Sequence, residues 1–195
     1  MNCNLPKEFN EGLKLLALLA RRMREAGAAE PVVIGASAVE IHSNGAYPCG
    51  DIEITVQDVA LCQEELTRIG FHPDDPKSAK RRHWNEDLWI GIRISARVPF
   101  LGRALSARQI SFETGCGPVR VISLEDTIAA LIAVFDANPR QHRDQLEQAT
   151  HLYKTAGALN RNYLDLRLRD ETMGGRSLTW FVGLTAQRTA VARWG

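Results

Sequence analysis

The sequence predicts an α+β protein, with an α/β core over residues 1–122 and a C-terminal helical region over residues 123–195. Three observations carry this. Apolar residues recur with helical period over 8–26, where Leu13, Leu16, Ala20 and Met23 share a face widened by Leu15, Leu18 and Leu19. Strict alternation appears in Asp51–Val56 and again from Leu88 to Ala96, where Ile90, Ile92 and Ile94 mark one face of a strand. Beyond Ser123 every periodic segment is helical.

Taken in order, the first helix ends at Gly27, and its polar positions Lys14, Arg21, Arg22 and Glu25 lie outside the apolar stripe, so it packs against a sheet. Val32 to Ile34 form a short buried strand, Gly35-Ala36 a small-residue turn, and a short helix opens at Ser37. Ser37 and Glu40 have the spacing of a capping box, which by itself accounts for Ser37. Asn44-Gly45 and Pro48 mark a loop before the strand from Asp51 to Val56. A helix over 58–69 starts favourably at Asp58 and stops at Gly70. Phe71-His72 begin an extended piece, followed by Arg82-His83-Trp84 and the strand from Leu88. His83 beside a Trp reads as structural more readily than as a base or ligand. Residues 108–114 and 118–122 form a hairpin closing at Gly115-Cys116-Gly117. Helices then follow from Ser123, after Pro139 and from Asn160 to Arg169. Met173-Gly174-Gly175 is a linker, and the amphipathic piece with Leu178, Phe181, Val182 and Thr185 closes the chain, packed on its own domain or offered to a partner.

Composition narrows the field. Of 195 residues 45% are hydrophobic and 24% charged, the balance of a globular protein with a real core. A net charge of +1 gives no global field toward nucleic acid or membrane, and no apolar run reaches the length of a span. The four cysteines make no C-x-x-C pair and no signal peptide is evident, so a cytoplasmic protein with reduced thiols is expected. Charge is uneven, however. Lys77–Arg108 carries +6 and the remainder −5, a local patch suited to a triphosphate or a nucleic-acid backbone, or else to solvent-facing strand arginines.

The chemistry concentrates in Pro31–Val56. Asp51 and Glu53 are two apart on a strand, so both carboxylates point to one face while Ile52 and Ile54 point to the other. Two acids sharing a face repel unless a cation joins them, and beside a helix N-terminus they would suit a divalent metal and a phosphate chain. Solvated acids on an edge strand are the plainer alternative.

The order strand, Gly35-Ala36-Ser37, short helix, loop and Asp51-Ile52-Glu53 strand resembles the signature of the nucleotidyltransferase superfamily, and residues 30–170 resemble a minimal, uncharacterised bacterial branch of it. The resemblance implies a nucleotidyltransferase-like mixed sheet flanked by helices. It implies a nucleoside triphosphate at Gly35, Ala36 and Ser37, with Mg²⁺ on Asp51 and Glu53 as the catalytic pair. It further implies nucleotidyl transfer to a hydroxyl of an RNA or protein acceptor. A homodimer or a cognate partner, as in toxin–antitoxin pairs, belongs to the same resemblance.

The sequence departs from that pattern in three places. The third carboxylate of active members should fall near Arg93 or Ser95, and neither is an acid. An arginine ahead of the D-x-D strand is replaced by the Ala46-Tyr47 neighbourhood, and a basic residue after Ser123 by Ala129-Ala130-Leu131. Proton removal from an acceptor therefore lacks an evident base, with Glu86, Asp87 and Glu113 as conceivable substitutes. Two functions remain: a Mg²⁺-dependent nucleotidyltransferase, or a degenerate relative serving as a binding or regulatory module. The first requires both carboxylates to open toward the Gly35 bend, free of arginine partners.

Overall fold

The computed structural model describes residues 4–74, 82–95 and 108–191, with side chains to residue 186. Of the basic stretch, Lys77, Lys80, Arg81, Arg97 and Arg103 lie outside the described residues, as do Ala192 and Trp194. In chain order the elements are α1 (Lys7–Glu25), β1 (Val32–Val33), α2 (Gly35–His42), β2 (Asp51–Thr55), α3 (Val59–Arg68), β3 (His72–Pro73), β4 (Arg82–Asn85), β5 (Ile90–Ser95), β6 (Gln109–Thr114), β7 (Gly117–Ile122), α4 (Leu124–Ala137), α5 (Arg143–Thr155), α6 (Arg161–Glu171) and α7 (Leu178–Val191). Residues 4–74, 82–95 and 108–123 make one compact unit and residues 124–191 another.

The first unit is built on a seven-stranded mixed sheet in the order β3-β4-β5-β2-β1-β7-β6. β2 lies between β5, its parallel neighbour, and β1, its antiparallel one. The acids of β2 are therefore on an interior strand, and the edge-strand explanation of them does not apply. One sheet face carries Ile52, Ile54, Ile90, Ile92 and Ile94, all buried, and α1 covers it with Leu13, Leu16, Leu19 and Met23. Gly12 lets this helix lie close to the sheet: a Cβ there would stand 2.8 Å from the Cδ1 atoms of both Ile52 and Ile90. This apolar seam fixes the register of the face, because shifting β2 by one residue would put Asp51 and Glu53 into it.

Two boundaries differ from the sequence expectation. The strand after β4 begins at Ile90, not Leu88, because Asn85 Oδ1 accepts from Leu88 N and holds a turn over 86–89. Trp89 closes that turn with φ of 52°, the left-handed region. The helix α2 opens at Gly35, two residues early, because the Ser37 hydroxyl is taken by the backbone of β2 and does not cap it.

The second unit packs α4 against α5 and α6, and α6 against α7. Phe181 is fully buried and meets Tyr153 edge-on at 5.5 Å between ring centroids, so the described part of α7 is a core helix of its own unit. At the centre Arg167, with no exposed surface, donates Nε to Asp126 (2.8 Å), Nη1 to Asp170 (3.0 Å) and Nη2 to Glu171 (2.6 Å). Tyr163 Oη donates to the same Asp126. Among the described residues no helix is long and apolar enough to cross a membrane.

Breaking a buried ion pair on one side strands the other charge, at a cost of about 3–5 kcal/mol. Arg167→Ala should therefore lower stability by that order in urea unfolding, and far more than Arg169→Ala, whose partner Asp165 is reached at the surface.

Candidate functional site

Ser37 organises the site, though not as an N-cap. The N-cap position is Ile34, with no side-chain cap, and Glu40 does not reach back to it. Glu40 is fully buried and its Oε2 accepts from Cys49 N at 2.6 Å. The capping-box expectation is thus overturned. Ser37 is also fully buried, its hydroxyl donating to Asp51 O (2.9 Å) and accepting from Glu53 N (2.8 Å). One hydroxyl so occupied stitches α2 to the backbone between the two acids, and tertiary bonding outweighs the local motif. The Ser37 hydroxyl is therefore turned away from any phosphate, and only the exposed Gly35 and Ala36 can offer backbone N–H groups to one. Cys49 lies in the same cluster, and burial, aided by Glu40, pushes its thiol up to about 12.

Gly35 has φ of +59°, and a Cβ on it would sit 2.2 Å from Glu53 Oε2. The left-handed backbone favours glycine there, and a side chain would displace the Glu53 carboxylate. Glu53 is thus presented at the Gly35 bend, as the sequence expectation had it, and its carboxylate has no hydrogen-bond or ion-pair partner among the described residues.

Asp51 is different. Arg82 grips it with two parallel bonds, Nη2 to Oδ1 and Nε to Oδ2, both 2.9 Å, and Arg93 Nη2 adds a third to Oδ2 at 2.9 Å. Only 13% of the Asp51 side chain remains exposed. Burial alone would raise this carboxyl, but the Arg82 fork and the Arg93 charge outweigh it and hold it below the ordinary carboxylate range. Arg82 is fixed in turn by Asp74 (2.9 Å) and by Trp84, whose ring centroid lies 4.7 Å from its Cζ.

Strand register explains the arrangement. Across the sheet Asp51 stands beside Gly91 and Gly91 beside Trp84, while Glu53 stands beside Arg93 and Arg93 beside Arg82. Gly91 has no side chain to bar the way: a Cβ there would lie 2.4 Å from Asp51 Oδ1 and 3.0 Å from Arg82 Nε. The alternation with Ile90, Ile92 and Ile94 puts Arg93 on the face of the acids, and nothing in it announces the bond to Asp51. Gly91 was the overlooked signal, since an interior strand glycine often marks a close approach. Of the substitutes for the third carboxylate, Glu86 and Asp87 sit in the turn after β4 and Glu113 on β6, none of them on the strands flanking β2. His83 is buried on β4.

A divalent ion between Asp51 and Glu53 does not fit this arrangement. Both Asp51 oxygens already accept from guanidinium groups, and Arg93 puts a positive charge beside Glu53 where a further acid would be wanted. Among the described residues no three His, Cys, Asp or Glu side chains gather as a metal site.

The sequence matches no family model, and no curated protein matches it. Solved structures do resemble it. An antigenic nucleotidyltransferase-like protein from Paracoccidioides brasiliensis aligns at a TM-score of 0.62 and 11% identity, over 97% of this chain and 93% of that one. The antibiotic-resistance factor ANT(2'')-Ia, described as having substrate-regulated conformation dynamics, aligns at 0.54 and 11% identity, over 94% of this chain and 97% of that one. The chain has a nucleotidyltransferase-like fold.

Ser37→Ala leaves the buried Glu53 N–H without its acceptor and should cost about 1–3 kcal/mol in urea unfolding. Because the Asp51 carboxyl has a lowered folded value, its ion pairs contribute fully above the unfolded carboxylate range and are lost as pH falls through the folded value. Asp51→Asn should accordingly flatten the acid limb of the stability–pH profile below about pH 4, read by thermal unfolding from pH 7 to pH 2.

Proposed function

We propose that this protein is a catalytically degenerate relative on the nucleotidyltransferase-like fold, a module that binds a nucleoside triphosphate or a similar phosphate ligand without transferring a nucleotidyl group. One observation carries the reading: both oxygens of Asp51 are engaged by Arg82 and Arg93. Transfer at an α-phosphate depends on neutralising the charge that develops and on positioning the acceptor. It also needs a group to take the acceptor's proton. Here the first acid is sequestered, and an arginine stands at one of the two positions expected for the third.

Binding is supported by what the site retains. The N-terminus of α2 is exposed at Gly35 and Ala36, and its unpaired N–H groups and dipole favour an anion. Arg93, with 55% of its side chain exposed, lies on the same sheet face. The transfer reading keeps one observation in its favour, the presentation of Glu53 at the Gly35 bend. An RNA or protein acceptor belongs to that reading alone, whereas a cognate protein partner is compatible with a regulatory module.

The test is a thermal-shift series with the four nucleoside triphosphates, alongside incubation with α-labelled triphosphates and total cellular RNA and protein. A bound ligand at a hundred times its Kd adds about 2.7 kcal/mol of stability. The expected result is a raised Tm with at least one nucleotide and no label transferred to any acceptor. Label transfer that requires Mg²⁺ and vanishes in Asp51→Ala would restore the enzymatic reading.

A further inference from the structure

We infer that Arg82 and Arg93 take the place of the divalent ion in this fold, so that the carboxylate pair excludes metal and phosphate binding at this face is metal-independent. The inference rests on the binding reading above for its ligand, but the exclusion of metal stands on the arginine geometry alone.

Charge comes first. Arg82 on β4 and Arg93 on β5 bring two positive charges to the face of Asp51 and Glu53, the charge of one divalent ion, while Asp74 shares Arg82 from its far side. The counter-charge of Asp51 is built into the chain. Arginine keeps its charge where a buried lysine can lose it, and it grips a carboxylate with a planar fork, as Arg82 does. The pairing with Asp51 pushes the Arg82 guanidinium still higher, so it does not open by losing a proton.

Geometry comes second. An ion bridging the two acids needs lone pairs on both, and Asp51 has three of its acceptor positions filled. To admit metal the site would have to release a fork that Asp74 and Trp84 brace from the far side. Arg93 has the opposite character. A guanidinium has about five N–H donors, and Arg93 gives one to Asp51 and none to any other described residue. Arg93 and Glu53 are register partners across the sheet, and Glu53 lies at the Gly35 bend. Arg82 is thus the fixed counter-charge, and Arg93 the one that can also reach a phosphate oxygen.

The proposal is tested on the full chain in two arms. The first uses metal alone: Mn²⁺ titrated into wild type, Arg82→Gln/Arg93→Asp and Arg82→Gln/Arg93→Gln, read by its electron paramagnetic resonance signal, with circular dichroism to check folding. Wild type should leave Mn²⁺ free, while Arg82→Gln/Arg93→Asp, which releases both Asp51 oxygens and supplies an acid across from Glu53, should bind it. If that variant does not fold, Arg82→Gln/Arg93→Gln takes its place, with weaker but measurable Mn²⁺ binding expected from loss of both clamps. Mn²⁺ binding by wild type that Asp51→Asn abolishes would overturn the inference, as would no binding by a folded double variant.

The second arm measures ATP affinity for wild type by calorimetry, in EDTA and in excess Mg²⁺. Metal-independent binding predicts values within about twofold of each other, and loss of about tenfold or more in Arg93→Gln. A wild-type affinity that collapses in EDTA would overturn the inference and leave the binding module intact. No nucleotide bound in either buffer, with the Mn²⁺ results as expected, would instead remove the proposed function and uphold the exchange of arginine for metal.

Discussion

The ion pair between Asp51 and Arg82 is the contact on which the site depends, and three separate features of the fold are needed to make it. Parallel pairing of β2 with β5 sets Gly91 beside Asp51. Antiparallel pairing of β4 with β5 brings Arg82 one row along, opposite Arg93. The missing side chain at Gly91 then lets the guanidinium cross β5 to reach the carboxylate. None of these is a property of Asp51 itself. A carboxylate on an interior strand of this sheet would otherwise stand on that face with its lone pairs free, and the acid pair would be short of positive charge.

The remainder of the first unit serves to hold that face in register. On one side of β2 the isoleucines are sealed by α1, with Gly12 allowing the helix to come close. On the other, the Ser37 hydroxyl ties α2 to the backbone on both sides of Ile52. A hydrophobic seam and a buried hydroxyl therefore fix the same strand, one through its side chains and the other through its backbone. Removing either would disturb the spacing of the acids before it touched their chemistry. The second unit is centred on its own buried charge, Arg167, which satisfies three carboxylates at once. Such networks are poor sources of net stability and leave an unpaired buried charge when broken.

Much of the architecture was legible in the sequence because it follows from periodicity. The apolar stripe of α1, the alternation in β2 and β5, the hairpin of β6 and β7, and the helix starts near Asp58 and Asn160 all lie where local rules put them. The G-A-S turn and the D-x-E strand were also adjacent in space, as the resemblance implied, and the fold is nucleotidyltransferase-like. What could not be read were pairings across strands. Ser37 and Glu40 match a local capping motif, yet both side chains bond to the β2 end of the loop, since burial there rewards tertiary partners over local ones. Arg82 is separated from Asp51 by 31 residues, and no pattern within either segment announces that they meet. Gly91 alone carried a hint, because a glycine in an otherwise β-branched strand has to be explained by something that passes close to it.

The likeness to solved nucleotidyltransferase-type structures at 11% identity speaks for the fold and leaves the site to be judged on its own residues. Judged so, the site is one whose first acid is held on both oxygens by guanidinium groups. The most direct measurement is of those groups themselves: ¹⁵N NMR of the arginine Nε–H signals, assigned through Arg82→Lys and Arg93→Lys, recorded with and without Mg²⁺. The account predicts an Arg82 Nε–H that is slow to exchange with solvent and unmoved by Mg²⁺. An Arg82 signal that exchanges freely, or that is released when Mg²⁺ is added, would mean that Asp51 is open to the ion and that the account is wrong.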